Sequence, residues 1–186
     1  MKRVLIPVAS GCEELEAVTL IDLLRRAGVE VVTAGLEAGP VTCSRGTVLV
    51  PDTTLEAVRE EAFDMVVLPG GLPGTTHLDE DPRIRALLQR MDREEKMVAA
   101  ICAAPMVLAN AGLLAGKKAT SYPECIPEAH LSTLEYREEA VVRDGRVITS
   151  RGPGTAMDFA LALIEVLTTP AIRQQVAADL LYPGAG

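Results

Sequence analysis

A single cysteine, Cys102, lies between small apolar residues in the segment AAICAAP, residues 99–105, where a hydrophobic stretch passes into a helical pattern. A sharp strand-to-helix turn requires small neighbours, which Ala100 and Ala104 supply, and it exposes the central side chain as a nucleophile elbow does. The N-terminus of the following helix would stabilise a thiolate and lower the pKa of the thiol. The pattern predicts a reactive thiol, although free cysteine is equally common as core packing.

Two glycines follow another apolar run, in DMVVLPGG, residues 64–71. Glycine lets backbone N–H groups approach a bound group closely. The N–H groups of Gly71 and Ala103 could therefore form an oxyanion hole beside the thiol. An ordinary turn between a strand and a helix would have the same residues, so both interpretations of Gly70 and Gly71 stay open.

Acidic residues follow the first apolar run, in GCEELEA, residues 11–17. Glu13 and Glu16 share one face of the predicted helix, whereas Glu14 points elsewhere. A carboxyl group beside Cys102 and shielded from water would have a raised pKa and could move a proton. Acidic residues also favour a helix N-terminus, which alone would explain Glu13 and Glu14.

Patterns for other chemistries are weak in this sequence. His77, placed in a loop, and His130 are both expected at the solvated surface, so a Cys-His-Glu triad has little support. The cysteines lack C-x-x-C spacing, so we expect free thiols in a reducing compartment, no metal and no cofactor. A nucleotide-binding module is a weaker alternative, because ASGCEE places acids where a phosphate would lie and no P-loop or G-x-G-x-x-G motif is present.

The composition limits the class of protein. A chain of 186 residues that is 48% hydrophobic suits one domain, residues 1–186. A net charge of −8 and 3% aromatic residues argue against nucleic acid or an anionic membrane as partner. The first apolar run is too short for a signal peptide, so we expect a cytoplasmic protein. Residues 97–116 could span a bilayer, but Pro105 and Asn110 interrupt them, which favours a buried strand followed by a buried helix.

Apolar runs alternate with helical patterns along the chain. Strands are predicted at 3–8, 29–34, 64–69, 97–101 and 118–122, with strand pairs within 41–50 and, around Asp144-Gly145, within 138–150. Helices are predicted at 13–28, from Asp52 or Thr53 to 61, from Pro82 onward, at 152–167 with Thr155 as a cap, and at 170–181. This alternation predicts a doubly wound α/β sandwich, in which ligands bind beyond the carboxyl ends of the strands.

The motifs, in their order and spacing, resemble the ThiJ/PfpI superfamily, and within it the branch of the parkinsonism-associated deglycase and its bacterial homologues. The resemblance covers residues 3–181 and rests on GCEELEA, CSRG, VVLPGG, AAICAAP and TSRGPGTAMDFAL. AAICA combined with G-x-E-E-x-E is specific, whereas either motif alone is not. The resemblance implies a flavodoxin-like α/β sandwich with a mostly parallel central sheet, a nucleophile-elbow cysteine and a homodimer.

The resemblance also implies roles for individual residues. Cys102 would be the nucleophile and redox-sensitive thiol, and Glu16 its protonated hydrogen-bond partner. The other residues implied are the backbone donors Gly71 and Ala103, the pocket residues Glu13, Gly70, Tyr122, Arg45, Arg151 and Pro153, and Cys43 near the dimer interface; Arg45 would also lie close to the partner subunit. Tyr122 stands where the family often has histidine, and a phenol is a poorer base near neutral pH than imidazole. Cys12 and Cys125 receive no role.

Two functions follow from this resemblance. The first is a cofactor-independent glyoxalase or protein deglycase, in which Cys102 adds to methylglyoxal, glyoxal or an early glycation adduct on a protein side chain and Glu16 moves the proton. The second is a redox-sensing stress-response chaperone whose Cys102 is oxidised to sulfinic acid.

Overall fold

Strands and helices alternate along the chain in the structure, a computed structural model that describes residues 1–183. The strands are β1 (Arg3–Val8), β2 (Glu30–Gly35), β3 (Val41–Thr42), β4 (Val48–Leu49), β5 (Thr53–Thr54), β6 (Met65–Leu68), β7 (Met97–Ile101), β8 (Lys118–Ala119), β9 (Glu135–Tyr136), β10 (Val141–Asp144) and β11 (Val147–Ser150). The helices are α1 (Glu14–Arg26), α2 (Leu55–Val58), α3 (Gly74–Glu80), α4 (Pro82–Arg93), α5 (Pro105–Asn110), α6 (Glu128–Leu131), α7 (Ala156–Leu167) and α8 (Pro170–Asp179).

A seven-stranded sheet lies at the centre, with the strand order β10-β11-β7-β6-β1-β2-β5. Its neighbouring strands are parallel, apart from the antiparallel hairpin of β10 and β11. β3 and β4 form a separate antiparallel pair, and β8 and β9 a separate parallel pair. These findings confirm the predicted flavodoxin-like α/β fold with a mostly parallel sheet.

Helices cover both faces of the sheet, and successive side chains of β1 enter opposite apolar layers. Val4 and Ile6 pack with residues of α1, α7 and α8, such as Leu20. Leu5 packs on the other face with residues of α2, α3, α4 and α5, such as Leu88. Because side chains alternate along a strand, a strand buried on both faces has a continuous apolar sequence, which is the pattern seen in β1, β6 and β7.

The uncharged stretch at 97–116 forms β7, a turn at Cys102 and α5, as the buried-strand interpretation predicts. β7 lies inside the sheet between β6 and β11, and its last four residues are buried. Among the residues that the structure describes, no helix is long and apolar enough to cross a membrane.

The helix predicted from Asp52 or Thr53 to residue 61 is much shorter in the structure, where α2 has four residues. Thr54 is its N-cap, and the Thr54 hydroxyl accepts a bond from Ala57 N at 3.4 Å. Asp52 does not cap the helix, because its carboxylate accepts bonds from Thr33 N at 2.9 Å and from Arg25 at 3.0 Å. A contact with the neighbouring strand thus replaces the local capping bond.

Both histidines differ from their predicted surroundings. His77 lies in α3, not in a loop, because the Gly- and Pro-rich sequence before it ends where the helix begins. His77 is only half exposed, and its Nδ1 lies 2.9 Å from the Ser10 carbonyl oxygen. His130 lies in α6 with Nε2 at 2.9 Å from Asn110 Oδ1. Neither ring is a freely solvated surface group.

Two local details of the last third of the chain are refined. The hairpin is present, but Asp144 pairs with Val147 across a loop of Gly145 and Arg146, so Asp144 belongs to the strand. Thr155 is the N-cap of α7, at the end of a 3-10 turn, and its hydroxyl accepts a bond from Gly152 N at 3.1 Å.

The carboxyl ends of β1, β6 and β7 meet at one edge of the sheet. The chain runs from β1 to β2 on one side and later places β6 on the other side of β1, which creates a topological switch point. Ligands of open α/β sheets bind in the crevice at such a point. The three turns that carry GCEE, PGG and CAA all begin there.

We expect Leu88→Ala in α4 to lower the free energy of unfolding by about 3 kcal/mol, because Leu88 is fully buried and its truncation leaves a cavity. Gln89→Ala is the matched control, since Gln89 is the next residue of the same helix and is exposed. Its effect should stay within about 0.5 kcal/mol. Urea unfolding measures the free energy of unfolding of both variants. Equal losses in Leu88→Ala and Gln89→Ala would contradict the described packing of α4.

Candidate functional site

Cys102 occupies the turn between β7 and α5 in a backbone conformation that is unusual for its residue type. Its φ is +65°, in the left-handed region that L-residues other than glycine rarely adopt. The turn is held from two sides, because Cys102 N donates to Ser150 O at 3.0 Å and Tyr122 N donates to Cys102 O at 2.8 Å. Such strain persists only where surrounding structure imposes it, and it is common at functional sites.

The Glu16 carboxyl group lies beside this cysteine. Glu16 is fully buried, and its Oε2 accepts a bond from Gly70 N at 2.8 Å. Among the described residues Oε1 has no hydrogen bond of normal geometry, but the Cys102 thiol is close enough to interact with the carboxyl group. The two predicted site residues are therefore in contact.

The absence of side chains at Gly70 and Gly71 makes this contact possible. A Cβ at Gly70 would lie 2.6 Å from Cys102 Cβ and 2.8 Å from Glu16 Oε2, which is too close for any real side chain. Gly71 has a φ of +90°, and a Cβ there would lie 2.3 Å from Glu13 N. The glycines after β6 are required by the close approach of three chain segments.

Backbone N–H groups of Gly71 and Ala103 lie near the Cys102 sulfur and lower the pKa of the thiol. Gly71 belongs to the turn after β6, and Ala103 follows the cysteine in its own turn. The structure thus brings together the two donors that the sequence pairs, and both are placed to stabilise negative charge at the sulfur.

Ionisation of the two side chains is coupled. Burial raises the pKa of Glu16 to about 7, although the Gly70 N–H and the thiol lower it. Burial and the adjacent Glu16 charge raise the pKa of Cys102 to about 12, although the two N–H groups lower it. The expectation that the turn would lower the thiol pKa is not met, because burial and a carboxylate outweigh the donors. The pair therefore loses one proton near pH 7 and holds a second to much higher pH.

A cavity of about 430 Å³ opens in front of the sulfur. Its lining residues are Glu13, Ser44, Arg45, Gly71, Leu72, Cys102, Ala103, Tyr122, Pro123, Cys125 and Pro153. Glu13, Arg45, Tyr122 and Pro153 thus lie where the family resemblance implies. The buried Glu16 is behind the thiol, next to the equally buried Gly70.

Arg151 is a correction to the predicted pocket. Its side chain does not line the cavity of Cys102, and its Nε lies 3.5 Å from the Ser121 carbonyl oxygen. Arg151 instead lines a neighbouring cavity of about 400 Å³, which shares only Pro123 with the first. Of the two predicted arginines, Arg45 alone lines the cavity of the thiol.

Ser44, Leu72, Pro123 and Cys125 line the cavity but were not predicted there. Ser44 belongs to the CSRG motif, which was the available signal for it, and its hydroxyl donates to Glu13 Oε2 at 3.1 Å. Nothing in the local sequence marks the other three, because the folding of separate loops brings them to the cavity.

Glu14 points away from the thiol, in the direction that the helical spacing predicts. Its carboxylate accepts bonds from Arg45 N at 3.0 Å and Thr47 N at 3.2 Å in the turn between β3 and β4. Partial burial raises its pKa, but backbone N–H groups outweigh this effect and lower the pKa of Glu14 to about 2. Glu14 thus ties α1 to the β3–β4 turn and keeps Arg45 at the mouth of the cavity.

A metal site finds no support in the donor set. Residues 1–183 contain no group of three or more His, Cys, Asp or Glu side chains that could hold a metal ion. The acid next to the thiol is a single carboxyl group that is already bonded to Gly70 N. The arrangement can instead form a covalent bond at sulfur and transfer a proton at Glu16.

Comparison with known proteins shows the family to which the chain belongs. The DJ-1/PfpI family profile matches residues 2–166. The chain is 45% identical over 181 residues to "Protein dj-1beta" of Drosophila melanogaster, covering 97% of each protein. It is 38% identical over 167 residues to "Glutathione-independent glyoxalase DJR-1.2" of Caenorhabditis elegans, covering 90% of this chain and 88% of that protein.

A solved structure of a similar protein also matches the fold of this chain. The structure described as "Toxoplasma gondii DJ-1, oxidized" has a TM-score of 0.91 and 41% sequence identity, and the match covers 98% of this chain and 99% of that one. Both the sequence and the fold agree along nearly the whole length. The chain therefore belongs to the DJ-1/PfpI family.

Proposed function

We propose that this protein converts small α-oxoaldehydes, such as methylglyoxal and glyoxal, to hydroxy acids without a cofactor. The observation that carries the proposal is the contact between a fully buried Glu16, with a pKa near 7, and the Cys102 thiol at an open cavity. A base whose pKa lies near the working pH is the most effective proton carrier. The glyoxalase name of the Caenorhabditis elegans relative supports the same reaction class.

The first step is attack of the Cys102 sulfur on the aldehyde carbon. A carbon–sulfur bond forms, the C=O π electrons move to oxygen, and the thiol proton passes to the Glu16 carboxylate. The backbone N–H groups near the sulfur, those of Gly71 and Ala103, would stabilise the negative oxygen as charge leaves the sulfur. Return of the proton from Glu16 to this oxygen gives a neutral hemithioacetal.

The second step moves a hydrogen between the two substrate carbons. Glu16 removes the proton from the former aldehyde carbon, which leaves an enediolate. The hydroxyl proton on that carbon's oxygen then passes to the neighbouring oxygen, and Glu16 returns its proton to the neighbouring carbon while the C=O bond forms beside sulfur. The product is a thioester of the hydroxy acid on Cys102. Water hydrolyses this thioester, so methylglyoxal and one water give lactate and a free thiol.

The same attack accounts for a deglycase activity on early glycation adducts. The cavity is open to solvent at Tyr122, which is about half exposed, and at the exposed Arg45. An adduct on a protein side chain could enter from this mouth while the protein remains outside. Tyr122 in place of histidine leaves Glu16 as the proton carrier beside the sulfur.

Redox sensing at Cys102 is the second candidate function. The sulfur faces an open cavity and lies near two backbone N–H groups, which would also stabilise the oxygens of a sulfinate. A protonated Glu16 would add a third donor. The description of the Toxoplasma gondii relative as oxidized is consistent with chemistry of this kind in the family.

A homodimer agrees with the exposed apolar side chains of one surface. Leu15 and Val18 of α1, and Val48 and Val50 in and after β4, are between 44% and 79% exposed. The bonds of the Glu14 carboxylate link the β3–β4 turn to α1, the two elements that present these side chains. A second copy covering these side chains would lie close to Arg45 and thus to the mouth of the cavity.

Replacing the nucleophile should abolish turnover. We expect Cys102→Ser to lower kcat/KM for methylglyoxal by about a thousandfold or more, because the hydroxyl is a far weaker nucleophile in this setting. Cys43→Ser is the control, since it changes a buried thiol outside the cavity. Native-like turnover by Cys102→Ser, or negligible native turnover together with stoichiometric Cys102 sulfinate after mild peroxide, would reject the enzyme proposal; the second result would favour the sensor.

Alkylation of Cys102 should report the coupled proton. In the native protein we expect the rate of Cys102 alkylation by iodoacetamide to rise as the pH passes through about 7, where the pair of Glu16 and Cys102 loses its first proton. Glu16→Gln removes the titrating carboxyl group and should abolish this step. Glu13→Gln should keep the step at slightly lower pH, because the Glu13 charge raises the pKa of Glu16. An unchanged profile in Glu16→Gln would show that the acid and the thiol are independent.

Burial of Glu16 should also make stability depend on pH. The pKa of Glu16 in the folded protein, about 7, lies above its ordinary value of 4.5. The protonated carboxyl group therefore contributes its full stabilisation of the fold below pH 4.5, and this contribution is lost as the pH rises through 7. Relative to that of Glu16→Gln, the free energy of unfolding of the native protein should fall by about 3 kcal/mol between pH 4.5 and 8. Urea unfolding across this range measures the difference, and Glu13→Gln should follow the native curve. Parallel curves for the native protein and Glu16→Gln would contradict the raised pKa.

A further inference from the structure

Two buried thiols outside the cavity form a pair that the proposed reaction does not use. Cys12, after β1, and Cys43, after β3, are free, and their Sγ atoms are 3.6 Å apart. Their side chains are 0% and 4% exposed. Two thiols in direct contact have a chemistry that a single buried cysteine lacks, because they can be joined by oxidation.

The backbone around the pair holds the two sulfur atoms together. Gly11 N donates to Thr42 O and Ser44 N donates to Cys12 O, both at 2.8 Å, so hydrogen bonds flank the thiols. The bonds of the Glu14 carboxylate to the same turn add a further link. A disulfide has an S–S length of about 2.05 Å, so the sulfur atoms need to approach by about 1.5 Å.

We propose that Cys12 and Cys43 are a redox-active dithiol that a hydroperoxide oxidises to an intramolecular disulfide. The Cys43 thiolate attacks the peroxide, an S–O bond forms, the O–O bond breaks, and water or an alcohol leaves. The Cys12 sulfur then attacks the sulfenic sulfur, the S–S bond forms, and water leaves with the Cys12 proton. Two thiols thus lose two electrons and two protons to one peroxide.

The two cysteines have different roles in this reaction. Burial raises the pKa of both thiols, but their contact acts in opposite directions on the two groups. The contact raises the pKa of Cys12 and lowers that of Cys43, and either sulfur can be the donor in it. Cys43 is also the less deeply buried of the two. Cys43 is therefore the first to react, and Cys12 resolves its sulfenic acid.

The dithiol lies next to the candidate active site without belonging to it. A Cβ at Gly74 would lie 2.4 Å from Cys12 N, and one at Gly71 would lie 2.7 Å from the Cys12 carbonyl carbon. The disulfide would therefore tie the β3–β4 turn to the backbone on which Gly71 packs. The proposal does not depend on turnover by Cys102, since neither of these thiols lines its cavity.

Peptide mapping in a Cys102→Ser background tests the proposal, because the thiol of the candidate active site is then absent. The protein is treated with hydrogen peroxide, the remaining thiols are alkylated, and trypsin is added. Cleavage at arginine places Cys12 in peptide 4–25 and Cys43 in peptide 27–45. We expect these peptides linked, with a mass two hydrogens below their sum, and released by dithiothreitol. Cys125, in peptide 119–137, should stay unlinked.

Cys12→Ala in the same background is the matched variant, and it should lose the link and accumulate sulfinic acid at Cys43. A Cys43–Cys43 link between two copies, or Cys43 sulfinic acid without a link to Cys12 in the Cys102→Ser protein, would overturn the proposal. Mapping the unsubstituted protein, after brief alkylation of its accessible thiols, tests the same link without any core substitution.

Discussion

The carboxyl group of Glu16 is buried against the Cys102 thiol, and this contact dictates much of the surrounding structure. It requires α1 to begin at the end of β1, so that Glu16 reaches the turn after β7. It requires Gly70, because any side chain there would meet both groups. It also requires the left-handed conformation of Cys102, which the hydrogen bonds to Ser150 and Tyr122 maintain. Strain, close packing and burial at this point are parts of one arrangement.

The reactivity of the thiol in this arrangement depends on Cys102 and Glu16 together. An isolated thiol at a helix N-terminus would ionise easily, but burial and the adjacent acid raise the pKa of Cys102. The same burial brings the pKa of Glu16 near 7, where a carboxyl group can take a proton from the thiol and return it. In the proposed reaction the buried acid would take the place of both the low thiol pKa and the histidine base that thiol enzymes commonly use.

The sequence was sufficient for features whose cause is local. Small residues around Cys102, glycines after β6 and acids at the start of α1 each have a steric or electrostatic reason that acts within a few residues. Arg151, Cys125 and His77 needed the structure, because their positions depend on contacts between distant segments. Arg151, for example, lines a neighbouring cavity with residues of other segments, such as Tyr136. The dithiol of Cys12 and Cys43 likewise joins residues of separate turns, with no spacing motif to reveal it.

Direct observation of the Glu16 carboxyl group is the most decisive test of this account. Carbon-13 NMR of labelled glutamate, assigned with Glu16→Gln, can be followed across pH together with the ultraviolet absorbance of the Cys102 thiolate. The account predicts a Glu16 titration near pH 7 that moves when Cys102 is replaced by serine, and a thiolate signal that rises only at much higher pH. A Glu16 that titrates near its ordinary value of 4.5, unaffected by loss of the thiol, would contradict it.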